Sequence, residues 1–198
     1  MSEKEATATS ETQVKPERSN TGKKEFAGAK LLANSVSNRM NNIIAANVTI
    51  AIGSRIQGQK CEIYINDMPV RLDAKHICYP DVVVVSGEPQ FVDKDNDMLT
   101  NPTVSFDIFS KNTSFQDKTE KLECYLAMAS IREYILIKED EMRVEHYAKQ
   151  NAKQWVYKIY NERDDVISID SVNCKISIAE IYAQVKFTGG EANAKAGS

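Results

Sequence analysis

The chain has 198 residues, 42% of them hydrophobic and 27% charged, with a formal net charge of -3. That composition fits one soluble globular domain with a sizeable core and excludes an overall strongly basic nucleic-acid surface, though a local basic groove can sit inside a slightly acidic total. No apolar run approaches the roughly 20 residues that span a bilayer, and the N-terminus lacks the apolar core of a signal peptide, so a cytoplasmic location is the default.

Residues 1–25 are rich in Ser, Thr, Glu and Lys, with almost no large apolar side chains. Such a segment cannot bury enough surface to offset its ordering entropy, and it reads as a disordered tail. Residues 188–198 read the same way, leaving 26–187 as a single folded domain. From Asn34 the pattern turns helical: Val36, Met40, Ile43, Ile44, Val48 and Ala51 recur at helical spacing, with Gly58 as a stop signal.

Strands follow. In "CEIYIND" Cys61, Ile63 and Ile65 alternate with Glu62 and Tyr64, and "MPVRLDA" reads as the hairpin partner. "PDVVVV" reads as a central strand covered on both faces, because four consecutive valines satisfy neither alternation nor a solvated side. In "NPTVSFDIFSKNTS" Val104, Phe106 and Ile108 share one face, and Ser105, Asp107 and Phe109 share the other. "SFQDKTEKLECYLAMAS" is a helix with an apolar stripe of Leu122, Tyr125, Leu126 and Ala129, and with Asp117 and Glu120 in its first turns, where the dipole favours acids. "REYILIK", "MRVEHYAK" and "KQWVYKIY" are consecutive strands. Ser177 and Glu180 stand at capping-box spacing before a short last helix. The order predicts a mixed α/β sheet flanked by helices.

Three residues in this frame carry candidate chemistry. Asp81 opens the valine strand, and Asp107 lies inside the next one, facing away from Phe106 and Ile108. Sequential strands are usually spatial neighbours, so the two carboxylates can face one another. Buried like charges repel unless a cation lies between them or one is protonated. An all-oxygen pair suits a hard cation such as Mg²⁺ or Mn²⁺. Lys121 falls on the rim of the helix's apolar stripe, with its side chain leaning back toward the strand that carries Asp107. Two carboxylates, a metal and a lysine are the parts needed for phosphodiester hydrolysis. A salt bridge from Lys121 to Asp107, with no metal, would equally satisfy the buried acid.

The passage from "CYPDVVVVSGEPQF" through "NPTVSFDIFS", "DKTEKLECY" and "SIREYILI" to "RVEHY", with "ISIAEIYAQVKF" at the end, resembles the Uma-two family of bacterial endonucleases. The similarity runs from about Asn34 to Phe187. It implies a restriction-endonuclease-like fold of the PD-(D/E)xK superfamily. By that resemblance Asp81 is the aspartate of the "PD" element and a metal ligand. Asp107 is the second ligand, standing where the family has a glutamate. Lys121 is the charge-stabilising lysine, because the superfamily's usual lysine position falls at Phe109. Glu62 matches a recurrent family position and reads either as an outer-shell group or as a solvent-facing strand glutamate. Asn41 stands where the family often has a histidine.

Other features carry less. The four cysteines, Cys61, Cys78, Cys124 and Cys174, have no close pairs and read as reduced, packed thiols. Asp93, Asp95 and Asp97 alternate like the start of an EF-hand, but Met98 and Val104 occupy the positions that need glycine and glutamate. His146 shares a face with Met142 and Val144 and reads as a packed or edge histidine, and Trp155, Tyr157 and Ile159 suggest sheet packing more than a base-stacking platform. The expectation is a divalent-metal-dependent endonuclease acting on DNA with Mg²⁺ or Mn²⁺, and a homodimer is expected by analogy with nucleases that cut duplexes. The alternative is an inactive nuclease fold serving as a nucleic-acid-binding or protein-interaction module.

Overall fold

The computed structural model of the chain describes residues 30–31, 38–92, 98–111, 113 and 115–187. The two expected tails, the helix start at Asn34 and Val36, the 93–97 loop and the side chain of Asp117 lie outside the described residues.

Helix α1, Arg39–Gly53, begins where the Asn38 side chain accepts the amides of Met40 and Asn41. This is an N-cap, which satisfies donors the helix itself leaves without partners. The helix closes at Gly53, earlier than the expected Gly58, which lies in the following turn with φ +80, a conformation open to glycine. Ile44, Val48, Ala51 and Ile52 form its buried stripe.

The main sheet has six strands: β2 (Cys61–Ile65), β5 (Val82–Ser86), β6 (Val104–Phe109), β7 (Glu133–Lys138), β8 (Val144–Asn151) and β9 (Gln154–Tyr160), hydrogen-bonded in the order β2-β5-β6-β7-β8-β9. Within this sheet β6 and β7 are the parallel pair, and helix α2, Phe115–Ala127, makes the crossover between them. Beside this sheet lies a small one, in which β4 (His76–Cys78) sits between β1 (Lys30–Leu31) and β3 (Val70–Arg71). A separate hairpin of β10 (Val166–Ile169) and β11 (Cys174–Ser177) leads into helix α3, Ile178–Ile181.

The expected pairing of "MPVRLDA" with "CEIYIND" is corrected here. β3 turns back on β4 through a tight loop closed by the Leu72 amide on His76 O, at 3.0 Å. β2 instead forms a five-residue antiparallel ladder with β5. That ladder covers one edge of the valine strand, which a two-residue strand could not do.

Val82, Val83, Val84 and Val85 are all 0% exposed. Val82 and Val84 join a core with α1, α3 and the β10–β11 hairpin, whereas Val83 and Val85 join a core with Tyr125, Met128 and Ile131 from α2 and the turn after it. The sheet is therefore the middle layer of three. The Ser177–Glu180 capping box forms as expected, with each side chain bonded to the other's backbone. Among the described residues, no helix is long and apolar enough to cross a membrane.

Candidate active site

Asp81 occupies the point where β5 has not yet begun and β6 has not yet ended. Its carbonyl accepts the Asn66 amide at 3.0 Å, and its own amide donates to Phe106 O at 3.1 Å. This second bond departs by one residue from the ladder that pairs Val82 with Phe106. The Asp81 side chain then replaces a strand partner: Oδ2 accepts the Ile108 amide at 2.7 Å. Oδ1 accepts Nδ2 of Asn41 at 3.1 Å. Asn41 is 0% exposed, on the first turn of α1. The carboxylate is thus held from strand β6 and from helix α1.

Asp107 lies beside it on β6, with Ser105 on the side of the sheet that α2 covers. Lys121 Nζ donates to its Oδ1 at 2.6 Å, and the Tyr134 hydroxyl donates to its Oδ2 at 2.7 Å. Asp107 and Lys121 are each 5% exposed. This corrects the placement of Lys121 on the helix rim. The buried residues of α2 and the turn after it, Lys121, Tyr125 and Met128, fall at helical spacing, so the lysine lies at the middle of the covered face. Ala129, expected in the stripe, is exposed and lies beyond the end of the helix. A lysine can occupy such a position only with a carboxylate against it.

The electrostatics follow from this crowding. Burial, and then the charge of Asp107, push the Asp81 carboxyl up from its ordinary 3.8 to about 6, against the bonds from Ile108 and Asn41. Burial alone would lower the Lys121 ammonium, but the charge and hydrogen bond of Asp107, together with the neighbouring Cys78 and Asp81, outweigh it and hold the group above its usual value. Tyr125 and Tyr134, stacked with centroids 4.3 Å apart, are both pushed well up by burial and stay protonated. Tyr134 is therefore a donor to Asp107. Cys78, 3.1 Å from the Tyr125 hydroxyl, is pushed up to about 12 by burial and is a packed thiol, not a nucleophile.

Glu62 lies elsewhere. It is exposed, accepts a hydrogen bond from the Tyr64 hydroxyl, and pairs in register with Val85, at the far end of the β2–β5 ladder from Asp81. Sequence reasoning missed Tyr134 as a site residue. Its signal was present: the alternation of "REYILIK" puts Tyr134 and Leu136 on the face that receives Asp107. It also missed a second meeting of metal-ligating types. Asp73, His76 and Cys124 bring ligand atoms within 4.8 Å of one another, though Asp73 Oδ2 and His76 Nδ1 are already hydrogen-bonded at 2.8 Å. His146 is buried as expected, bonded through Nε2 to Glu133 at 2.7 Å.

The residues at Asp81 and Asp107 fit a hard divalent cation. The donors are all carboxylate oxygens from neighbouring strands, and a cation between them would offset the cost of a buried charge at Asp81, which comes from burial first and the charge of Asp107 second.

Comparison with known proteins bears on this geometry. The family model "Uma2: Putative restriction endonuclease" matches residues 14–179. The uncharacterized protein sll1609 of Synechocystis sp. is 29% identical over 137 residues, covering 69% of this chain and 77% of that protein. The uncharacterized protein slr1290 of the same organism is 20% identical over 166 residues, covering 83% and 86%. A crystal structure described as "a putative nuclease belonging to DUF820", from Anabaena variabilis, superposes with a TM-score of 0.63 at 17% identity, covering 77% of this chain and 86% of that one. That likeness shows the fold: a mixed α/β sheet flanked by helices.

Proposed function

The chain belongs to the Uma2 family, and from that premise we propose that it is a divalent-metal-dependent endonuclease that hydrolyses DNA phosphodiester bonds. The observation that carries this reading is the convergence of two buried carboxylates, Asp81 and Asp107, with the buried ammonium of Lys121. Asp81 and Asp107 would hold Mg²⁺ or Mn²⁺. Such an ion supplies polarisation of a phosphoryl oxygen and acidification of a water molecule.

The remaining chemistry belongs to the chain. Asn41 and the Ile108 amide orient Asp81 and favour its ionised form. Tyr134 holds one oxygen of Asp107 while Lys121 holds the other. The α2 layer keeps bulk water from the carboxylates, so each charge acts in a medium of low polarity. Lys121, positively charged and braced by Asp107, stabilises negative charge that develops on the phosphoryl group.

The test is plasmid cleavage by purified protein with Mg²⁺ or Mn²⁺, alongside Asp81→Asn. Cleavage in the wild type and none in the variant supports the reading. Cleavage that survives the substitution identifies a contaminant and overturns it.

A specific observation favours the second reading, an inactive nuclease fold that binds nucleic acid or protein. Both oxygens of Asp107 already accept strong bonds, and the side chain is one methylene shorter than the glutamate of the family pattern. Calorimetry separates the two readings, because the inactive fold predicts no Mn²⁺ binding that depends on Asp81 or Asp107.

A further inference from the structure

Where the turn from β3 to β4 meets α2, three unlike donors converge. Asp73, His76 and Cys124 bring a carboxylate oxygen, a ring nitrogen and a thiol sulfur within 4.8 Å of one another. Asp73 lies in the turn, His76 opens β4, and Cys124 stands in the second half of the helix.

The surrounding structure sets their orientation. Asp73 Oδ1 accepts the amides of Lys75 and His76 at 2.6 and 2.9 Å, which leaves Oδ2 against His76 Nδ1 at 2.8 Å. The other ring nitrogen, Nε2, faces Glu120 Oε1 at 3.7 Å. Glu120 and Cys124 are four residues apart on α2 and so share a face. The imidazole therefore has a carboxylate at each nitrogen and a thiol beside it. The group is open to entry from solvent: the side chains of Asp73, His76 and Glu120 are 49%, 23% and 27% exposed.

We propose that this group binds Zn²⁺ through Asp73 Oδ2, His76 Nδ1 and Cys124 Sγ, with water in the fourth position, and that the ion clamps α2 to the β3–β4 turn. One oxygen, one nitrogen and one sulfur suit a borderline-soft tetrahedral ion, which takes such ligands at about 2.0–2.3 Å. A hard cation prefers oxygen alone, so this donor set differs in kind from the pair at Asp81 and Asp107. On binding, the Cys124 thiol releases its proton to solvent and the sulfur bonds to zinc. Zinc also replaces the hydrogen on Nδ1, which moves to Nε2. There the Glu120 carboxylate faces it, as an outer carboxylate commonly faces a metal-bound histidine. The site shares no residue with the Asp81–Asp107–Lys121 cluster, so it stands independently of the endonuclease reading.

Co²⁺ replaces Zn²⁺ as a coloured probe. The full chain, freed of metal by a chelator, is titrated with Co²⁺ in excess Mg²⁺. The expected result is one equivalent bound, with a thiolate-to-cobalt charge-transfer band and the visible bands of a tetrahedral ion. Zn²⁺ should erase both and raise Tm. Cys124→Ser should abolish the charge-transfer band. His76→Gln should weaken Co²⁺ about a hundredfold or more, and Glu120→Gln about tenfold. Asp73→Asn keeps the Oδ1 acceptor of the turn and removes the anionic ligand, so weakened binding with unchanged circular dichroism separates ligation from folding. Cys61→Ser, at the other partly exposed thiol, should leave the spectrum unaltered. A missing charge-transfer band overturns the proposal, as does full affinity in His76→Gln. So does a band that survives Cys124→Ser or vanishes in Cys61→Ser, because the ion then sits on another thiol.

Discussion

Lys121 and Asp107 form an ion pair at 2.6 Å with both side chains 7% exposed, one from the middle of the buried face of α2 and the other from the middle of β6. A buried pair of this kind is costly to desolvate and costlier to break, because one partner left alone is an uncompensated charge. Lys121→Met is expected to destabilise the fold by about 3–5 kcal/mol. Combining it with Asp107→Leu should recover a large part of that loss, since two apolar side chains replace both charges. Urea unfolding of the two single variants and the double variant gives the coupling energy. Additive effects would mean that the pair is not coupled.

Asp81 predicts a conflict between stability and activity. Its carboxyl is pushed up from 3.8 to about 6. Between those values the folded chain holds a proton that the unfolded chain has already released. Stability contributed by this group is therefore present at low pH and lost as pH rises through the window, with the full cost present at pH 7. That difference corresponds to about 3 kcal/mol at most. Asp81→Asn removes the charge and can keep both hydrogen bonds if the Asn41 amide turns to accept. It should raise Tm at pH 7 and leave it unchanged near pH 4, while abolishing any cleavage. Thermal melts at the two pH values check the sign.

Asn41 acts through Asp81. Its Nδ2 donates to the carboxylate at 3.1 Å and so favours the ionised form. Asn41→Leu removes that donor, and the Asp81 carboxyl should rise further. Mn²⁺ affinity at pH 7 should fall about tenfold to a hundredfold, the usual cost of losing a group that orients a metal ligand. Asn41→His, which restores a ring donor, should recover part of it. Calorimetry with Mn²⁺ reads both variants. Equal affinity for wild type and Asn41→Leu would show that the contact is only structural.

What was legible in the sequence follows from what local pattern encodes. The valine run was readable because period two with no polar face leaves burial on both sides as the only solution, and Val82–Val85 divide between two cores. The same period put Asp107 on the face away from Phe106. Lys121 was misplaced because a stripe drawn through hydrophobic residues leaves a lysine at its rim, whereas a lysine paired with a carboxylate packs as part of the core. Asn41 and Tyr134 became site residues through contacts 40 and 27 positions away along the chain. No window of sequence contains such contacts. The partner of a two-residue strand such as β3 is likewise settled by its turn and its neighbours. The β10–β11 hairpin went unread because it is short, and its turn rests on Asn173 at φ 46.

The last prediction concerns Asp107 itself. Its oxygens meet Lys121 at 2.6 Å and Tyr134 at 2.7 Å in a space 5% exposed. Asp107→Glu adds a methylene there, and overpacking of a filled site costs about 1–3 kcal/mol. The longer side chain cannot keep both bonds without moving α2 or β7, so Tm should fall. For an active enzyme whose Lys121 and Tyr134 are fitted to aspartate, cleavage with Mg²⁺ should fall as well. For a fold that lost activity when its acid shortened, the same substitution should create Mn²⁺ binding and cleavage absent from the wild type. Plasmid nicking and Mn²⁺ calorimetry on Asp107→Glu, beside the wild type, therefore decide between the two readings of this site, because one substitution moves them in opposite directions.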